Sequence, residues 1–204
     1  MEKEFLGGYS KGWWDSAKKN RALVRKYNTI DPQKLWEKYL LLKELLAQAD
    51  EQTLIEPPFY CDNGWNIRVG KNFYANYNLV ILDADKVTFG DRVVIGPNVT
   101  FCAASHPIHP ESRFHDGHFP VLTAPITVGD DVWIGANVTV LMGVTIGSGS
   151  VIGAGSVVTR DIPGGVIAAG SPCRVLREIT EKDRHIWEDG RREPSAAADA
   201  GTEA

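Results

Sequence analysis

The sequence predicts a mainly β fold, a solenoid of short strands preceded by a helical segment, and three observations predict it. The first is a six-residue period between Pro125 and Asp161. It runs Val128-Gly129-Asp130-Asp131-Val132-Trp133, Ile134-Gly135-Ala136-Asn137-Val138-Thr139, Val140-Leu141-Met142-Gly143-Val144-Thr145, Ile146-Gly147-Ser148-Gly149-Ser150-Val151 and Ile152-Gly153-Ala154-Gly155-Ser156-Val157. A β-branched residue opens every unit, glycine follows it in four of the five, and a second aliphatic residue recurs four places on at Val132, Val138 and Val144. So strict a short period marks a solenoid in which each repeat contributes one strand and one corner. The second observation is that six is neither 3.6 nor 2, which excludes an amphipathic helix and weakens an ordinary antiparallel sheet. The third is a separate helical pattern upstream, stopped by Glu56-Pro57-Pro58.

Geometry explains the hexad. A short strand with its turn makes one side of a triangular prism, so three hexads return the chain to its starting face. Val128 then lies beneath Ile146, and Ile134 beneath Ile152, giving inward columns of β-branched side chains that suit strands. Glycine or another small residue at the corner is expected to let the backbone turn sharply without a Cβ penalty.

Upstream, residues 1–56 read as the N-terminal helical segment. The polar stretch after Trp13-Trp14 runs as one helix to Tyr27, and Asp31-Pro32 marks a second start, with Asp as N-cap and Pro in the first turn. Its apolar face is Leu35, Tyr39, Leu42 and Leu46, flanked by Trp36 and Leu45 and ending near Ala49-Asp50. Such a helix would cover the open end of a solenoid, where a bare strand edge invites aggregation.

Residues 57–178 form the solenoid domain, with repeats recognisable from Ile67, as in Val69-Gly70 and Phe89-Gly90. Phe89 to Ile95 is six residues but Ile95 to Val128 is thirty-three. An inserted loop at about 103–124 accounts for the difference, and long loops thrown out of regular scaffolds commonly carry function. Residues 179–204 read as a short helix opening at Thr180-Glu181-Lys182-Asp183, then a polar, alanine-rich disordered tail from Asp189.

The net charge of -4 argues against general nucleic-acid binding. No stretch has the length and apolarity of a membrane span or of a signal peptide, so the expected location is cytoplasmic. Cys61, Cys102 and Cys173 are too few and too scattered for a disulfide framework or a zinc knuckle.

Four of the five histidines fall in the inserted loop: His106, His109, His115 and His118. A cluster of this kind could bind zinc through three ligands with an open position. Alternatively one imidazole is a general base, a role its ordinary pKa suits, and the others are loop surface.

Several motifs now converge. Cys61-Asp62-Asn63-Gly64, Asn72-Phe73-Tyr74-Ala75-Asn76-Tyr77-Asn78, Ile81-Leu82-Asp83, Ser105-His106-Pro107, Val132-Trp133-Ile134-Gly135 and Ala168-Ala169-Gly170-Ser171-Pro172-Cys173-Arg174-Val175 together resemble the maltose/galactoside O-acetyltransferase family of hexapeptide-repeat acyltransferases. The likeness runs from about the first helix to Glu178. It implies a left-handed parallel β-helix, although the general preference of crossovers is right-handed. It also implies transfer of acetyl from acetyl-CoA to a sugar hydroxyl by direct attack in a ternary complex, without a metal, in a homotrimer whose active sites lie between subunits.

By the same resemblance His106 is the catalytic base, and Asp15, Asp62, Asn76 and Asp83 hold the acceptor sugar, whose hydroxyls both donate and accept. The residues alone leave other roles open: Asn76 as a corner residue, Asp83 as a turn cap. Trp133 matches the acetyl site, with plain packing as its alternative. Ala136 and Ala154 match backbone contacts to the pantetheine arm, and Thr159, Arg160, Arg174 and Arg177 match the end that meets the nucleotide and phosphates. Arginine suits phosphate through its fork of donors, although surface arginines are often only solvated. The family often places serine at position 136; alanine there can offer only its backbone N–H to an oxyanion. Two alternatives stand beside this reading: a xenobiotic O-acetyltransferase, and a scaffold that has lost its chemistry.

Overall fold

A computed structural model describes residues 11–114 and 117–184, with side chains from Asp15 onward. The charged start, the Trp13 and Trp14 side chains, His115 and the tail expected from Asp189 lie outside the described residues.

Helix α1 (Lys11–Thr29) buries Ala17, Asn20, Val24 and Tyr27, a three- and four-residue spacing that makes one face. Helix α2 (Leu35–Leu45) starts later than Asp31-Pro32 predicts. The Asp31 carboxylate accepts the Gln33 N–H at 2.9 Å and its carbonyl accepts the Lys34 N–H at 3.0 Å, so Asp31 closes a separate turn instead of capping the helix. The buried stripe is also shifted from the expected one. It is Lys38, Leu41, Leu42 and Leu45, while Leu35 and Trp36 are each 62% exposed. Lys38 is admitted because its ammonium lies 5.7 Å from the Tyr27 ring centre and 4.0 Å from the Glu56 carboxylate. Leu41, Leu42, Leu45 and Leu46 join the core beside Ile55, Phe59 and Ile67, so α2 closes the starting end of the solenoid.

The solenoid is a triangular β-helix, and its coils start before Ile67. Among the described residues one face has seven strands, ordered Leu54–Ile55, Tyr74–Ala75, Val94–Ile95, Trp133–Ile134, Val151–Ile152, Val166–Ala169 and an antiparallel last strand, Arg174–Glu178. A second has five: Phe59–Cys61, Leu79–Leu82, Thr100–Cys102, Thr139–Leu141 and Val157–Val158. The third has four: Ile67–Arg68, Val87–Phe89, Ile126–Val128 and Thr145–Ile146. Val128 pairs with Ile146 and Ile134 with Ile152, the columns that the period predicts. Inside, Phe73, Phe89 and Phe101 stack edge to face, with centroids 5.1 and 4.9 Å apart.

The glycine expectation holds in part. Gly143, Gly149 and Gly155 turn the chain with positive φ, but the glycines that directly follow the opening β-branched residue do not; they sit where one coil touches the next. A Cβ on Gly135 would meet the Ala154 nitrogen at 2.7 Å, and one on Gly96 the Ala136 nitrogen at 2.8 Å. The left-handed turn falls two residues later, at Asn72, Arg92, Asn98, Asp131, Asn137, Gly149 and Gly155, all with φ between 55° and 72°. Asparagine tolerates that region best among residues with side chains.

The inserted loop leaves after Thr100–Cys102 and returns at Ile126–Val128 in register with Val87–Phe89. Its stem is an antiparallel pair, Ala104–Ser105 with Leu122–Thr123, and its tip holds a one-turn helix α3 (Pro110–Arg113). Arg113 donates to the Pro107 and Ile108 carbonyls at 3.1 and 2.7 Å, and Phe114 stacks on Phe119 at 4.7 Å. Beyond it, Thr180 and Asp183 form a reciprocal capping box around the 3₁₀ turn Glu181–Asp183. Among the described residues no helix is long and apolar enough to cross a membrane.

Close coil contact makes a direct prediction. Gly135→Ala lowers stability by about 1–3 kcal/mol through overpacking, whereas Asn137→Gly, which relieves a left-handed side chain, leaves it unchanged or higher. Urea denaturation of the two variants checks both.

Candidate active site

The stem of the inserted loop positions His106. Its Nδ1 lies 2.9 Å from the Pro120 carbonyl on the returning side of the loop. A carbonyl oxygen only accepts, so Nδ1 carries the proton and the neutral ring presents Nε2 as its lone-pair nitrogen. The ring is exposed, and among the described residues the other loop histidines, His109 and His118, are exposed with no hydrogen bond from either ring.

Beneath it runs the edge where the five-stranded face turns into the four-stranded one. Strand register puts Cys61 beside Ile81 and Leu82 beside Cys102, with the Asp62 N–H donating to the Ile81 carbonyl. The Leu79–Leu82 coil lies between the coil that carries Asp62 and the one that ends at Cys102, and His106 leaves that same edge in the inserted loop. The Asp62 side chain is open to solvent on one side, yet the protein packed beneath it pushes its carboxyl up from the ordinary value, opposed by the Arg21 charge from α1. Burial, reinforced by Asp62, pushes the Cys102 thiol up; burial, then Asp83 and Asp62, does the same to Cys61. Both thiols are held in the protonated form.

Asp83 is withdrawn from the acceptor set that the resemblance implies. It is wholly buried; Oδ1 accepts the N–H groups of Asp62 and Asn63 at 3.0 and 2.9 Å, and Oδ2 that of Gly64 at 2.7 Å. The Asn63 and Asn66 amides donate to its carbonyl, each at 2.8 Å. No oxygen faces an acceptor hydroxyl. Asp83 is the cap that shapes the turn carrying Asp62, the other role its residue type allows. Burial pushes its carboxyl up to about 6 against the pull of those N–H donors.

The other residues lie elsewhere. Asn76 sits at the opposite edge of the five-stranded face, its Oδ1 accepting the Tyr77 N–H at 2.7 Å, which leaves the amide nitrogen for a ligand. Ala136 and Ala154 stack on that same edge, and the N–H of neither has an acceptor among the described residues. Trp133, 55% exposed, stands on the seven-stranded face between Val94 and Val151. Arg174 begins the last strand, opposite Ala169, and donates to the Cys173 carbonyl at 2.8 Å. Arg177 pairs with Ile167 in the same ladder and makes a bidentate ion pair with Asp183 at 2.8 and 2.7 Å. Thr159 and Arg160 follow Val157–Val158, on the edge that carries His106. Asp15 is exposed on α1.

One chain thus does not bring these residues together. His106, Asp62, Thr159 and Arg160 line one edge; Asn76, Ala136, Ala154 and Arg174 line another, separated by the width of a face, on the order of 15 Å for a strand and its corner. Sequence reasoning missed the Pro120 carbonyl that orients His106, which carries no residue-type signal, and the Arg177–Asp183 pair, whose Thr180-to-Asp183 spacing reads only as a helix start.

The coiled scaffold, the loop histidine and the stacked small residues define a hexapeptide-repeat acyltransferase, and residues 125–160 match the family model described as the hexapeptide repeat of succinyl-transferase. The Escherichia coli galactoside O-acetyltransferase is 47% identical over 169 residues, covering 83% of this chain and 82% of that protein. Among solved structures, a galactoside acetyltransferase in complex with coenzyme A superposes with a TM-score of 0.83 at 44% identity, over 92% of each chain. A maltose O-acetyltransferase from Clostridium difficile does so at 0.80 and 38%, over 84% of this chain and 90% of that one. The chain belongs to the maltose/galactoside O-acetyltransferase family. It is an acetyltransferase, and acetyl-CoA is its co-substrate.

The titration of Asp83 has a testable sign. Its folded value lies above the ordinary 3.8, so between about pH 4 and 6 folding takes up a proton and this contribution to stability falls as pH rises. The difference in unfolding free energy between wild type and Asp83→Asn, which does not titrate, should shrink from pH 4 to 6.5. Asp83→Ala, which orphans three N–H donors, costs about 2–4 kcal/mol.

Proposed function

We propose that the chain transfers acetyl from acetyl-CoA to a hydroxyl of a sugar, with His106 as general base. The observation that carries this reading is the His106 Nδ1–H bond to the Pro120 carbonyl, which leaves Nε2 to receive the hydroxyl proton as the oxygen attacks the thioester. Burial raises the thiols of Cys61 and Cys102 above their ordinary value and so disfavours a thiolate at this edge, which supports direct attack in a ternary complex over an acyl-cysteine intermediate. The N–H of Ala136 is the donor available for the tetrahedral oxyanion, and Trp133 walls the acetyl group. Asp62 and Asn76 are the acceptor-binding residues, with Asp15 beside them, while Asp83 shapes their support. The pantetheine arm runs along Ala136 and Ala154, and Thr159, Arg160, Arg174 and Arg177 face the nucleotide and its phosphates. The galactoside and maltose acetyltransferases that the chain resembles support a sugar as acceptor.

This chemistry requires two copies of the chain, because His106 and the donor-binding alanines lie on different edges of one prism. The faces fit such packing. The four-stranded face turns Arg68, Thr88, Thr127 and Thr145 outward, whereas the seven-stranded face presents Tyr74, Val94, Trp133, Val151 and Ile167. The seven-stranded face is apolar along its length, the five-stranded face adds exposed Tyr60 and Leu141, and a closed threefold ring would cover such surfaces on every subunit. The inserted loop, with Ile108 92% exposed at its tip, reaches toward the neighbour.

The reaction is read by thiol release from acetyl-CoA against a panel of sugars and chloramphenicol-like acceptors. Sugar-dependent release should fall about 10²–10⁴-fold in His106→Ala. Release driven by the antibiotic alone would transfer the reading to xenobiotic acetylation, and release indifferent to His106 would remove the base.

The shared site makes a separate prediction. His106→Ala and Asn76→Ala chains, each inactive alone, should regain activity when unfolded together and reassembled, because mixed assemblies contain sites with both native residues. Mixtures that stay inactive would place the whole site on one chain.

A further inference from the structure

The C-terminal cap of the solenoid holds a pocket of about 600 Å³ walled by Arg177, Glu178, Thr180, Lys182 and Asp183. The donors of Arg177 can be counted around it. Nη1 gives one hydrogen to the Glu178 carbonyl at 3.0 Å and the other to Asp183 Oδ2 at 2.8 Å, and Nη2 gives one to Asp183 Oδ1 at 2.7 Å. Asp183 thus grips the guanidinium end-on. What remains is the Nε–H and the second Nη2 hydrogen, which lie parallel on one side of the planar group and match two oxygens of a phosphate. Asp183 is itself held: the Thr180 N–H donates to Oδ2 at 2.9 Å and the Thr180 hydroxyl lies 3.4 Å from it, within the capping box.

We propose that Asp183 is a positioning residue for acetyl-CoA: it locks Arg177 so that its side-on fork is presented to a phosphate of the nucleotide, with Lys182 as a second cation in the same pocket. This rests on the reading that Arg177 meets the nucleotide end of the donor. The two carboxylates in the wall, Glu178 and Asp183, balance the two cations. Recognition here is therefore by geometry and not by net charge. An arginine without its lock spends rotamer freedom on each phosphate contact; a locked one does not.

The test measures KM and kcat for acetyl-CoA and for acetyl-pantetheine, which lacks the nucleotide and all phosphates, in Arg177→Ala, Arg177→Lys, Asp183→Asn and Asp183→Glu proteins whose melting temperatures are recorded alongside. Arg177→Ala should raise the KM for acetyl-CoA roughly tenfold, the order of one charge-assisted bidentate contact. Arg177→Lys, which keeps the charge but has no fork, should fare almost as badly. Asp183→Asn should raise the same KM several-fold with kcat unchanged, Asp183→Glu should recover part of the loss, and none of the four should alter the kinetics with acetyl-pantetheine. An unchanged KM in Arg177→Ala would remove Arg177 from the donor site and the inference with it. A raised KM in Arg177→Ala with an unchanged or lowered KM in Asp183→Asn would overturn the positioning role alone, and a lowered value would make Asp183 a competitor of the phosphate. Equal losses with both donors would reduce the pair to a structural strut.

Discussion

Coil-to-coil contact of the backbone is the constraint on which the rest of this protein depends. Parallel strands stack with their N–H groups donating upward to the next turn, as Gly135 does to Ile152 at 2.8 Å and Gly96 to Ile134 at 2.8 Å. Strand spacing in a sheet is about 4.8 Å, and where glycine opens a corner, as at Gly96 and Gly135, the chain above comes so near that no Cβ fits. Glycine answers that contact. The reversal of direction is then displaced two residues on, to asparagine, aspartate, arginine or glycine in the left-handed region. Some of these add bonds of their own: Asn78 donates to Asn98 at 2.9 Å, and Arg92 grips Asp131 at 2.6 and 2.8 Å. The last pair is half exposed and its worth is correspondingly small.

The same stacking decides where chemistry can occur. A prism wall is continuous, so its only concave places are at edges, at ends and where a loop departs. The inserted loop departs at the edge beneath which Asp83 ties the turn carrying Asp62, and its returning arm supplies the carbonyl that fixes the His106 tautomer. Scaffold and loop act together: the regular coil sets the position of Asp62, and the irregular excursion orients the imidazole that leaves the same edge. A second edge carries the small residues against which an extended cofactor arm can lie. A rigid triangular cross-section holds these edges apart, so a single chain does not join them.

Several particulars were readable from the sequence because they follow from a period. The inward columns at Val128–Ile146 and Ile134–Ile152, the break between Ile95 and Val128, and the helical turn opening at Thr180 all depend on local pattern alone. Other particulars were misread where one residue type serves two purposes. Glycine was expected to make the turn, and Gly143, Gly149 and Gly155 do so with positive φ, but the glycine that follows the opening β-branched residue is used instead for its smallness where coils touch. Asp31 has the chemistry of an N-cap and closed a turn instead. Asp83 has the chemistry of a sugar ligand, but its burial made it a cap.

What the sequence by itself determined is the repeating scaffold, the family, and the residue types that can remove a proton or grip a phosphate, since periodicity and side-chain chemistry are local properties. Only the tertiary structure decided which of those groups face solvent, which share an edge, and what orients them. The Pro120 carbonyl meets His106 only after the inserted loop has closed, and the Asp183 carboxylate meets Arg177 only because the chain turns back after the last strand. Burial and hydrogen-bond partnership are properties of the closed fold, and they separate a catalytic carboxylate or imidazole from one that merely has the right atoms.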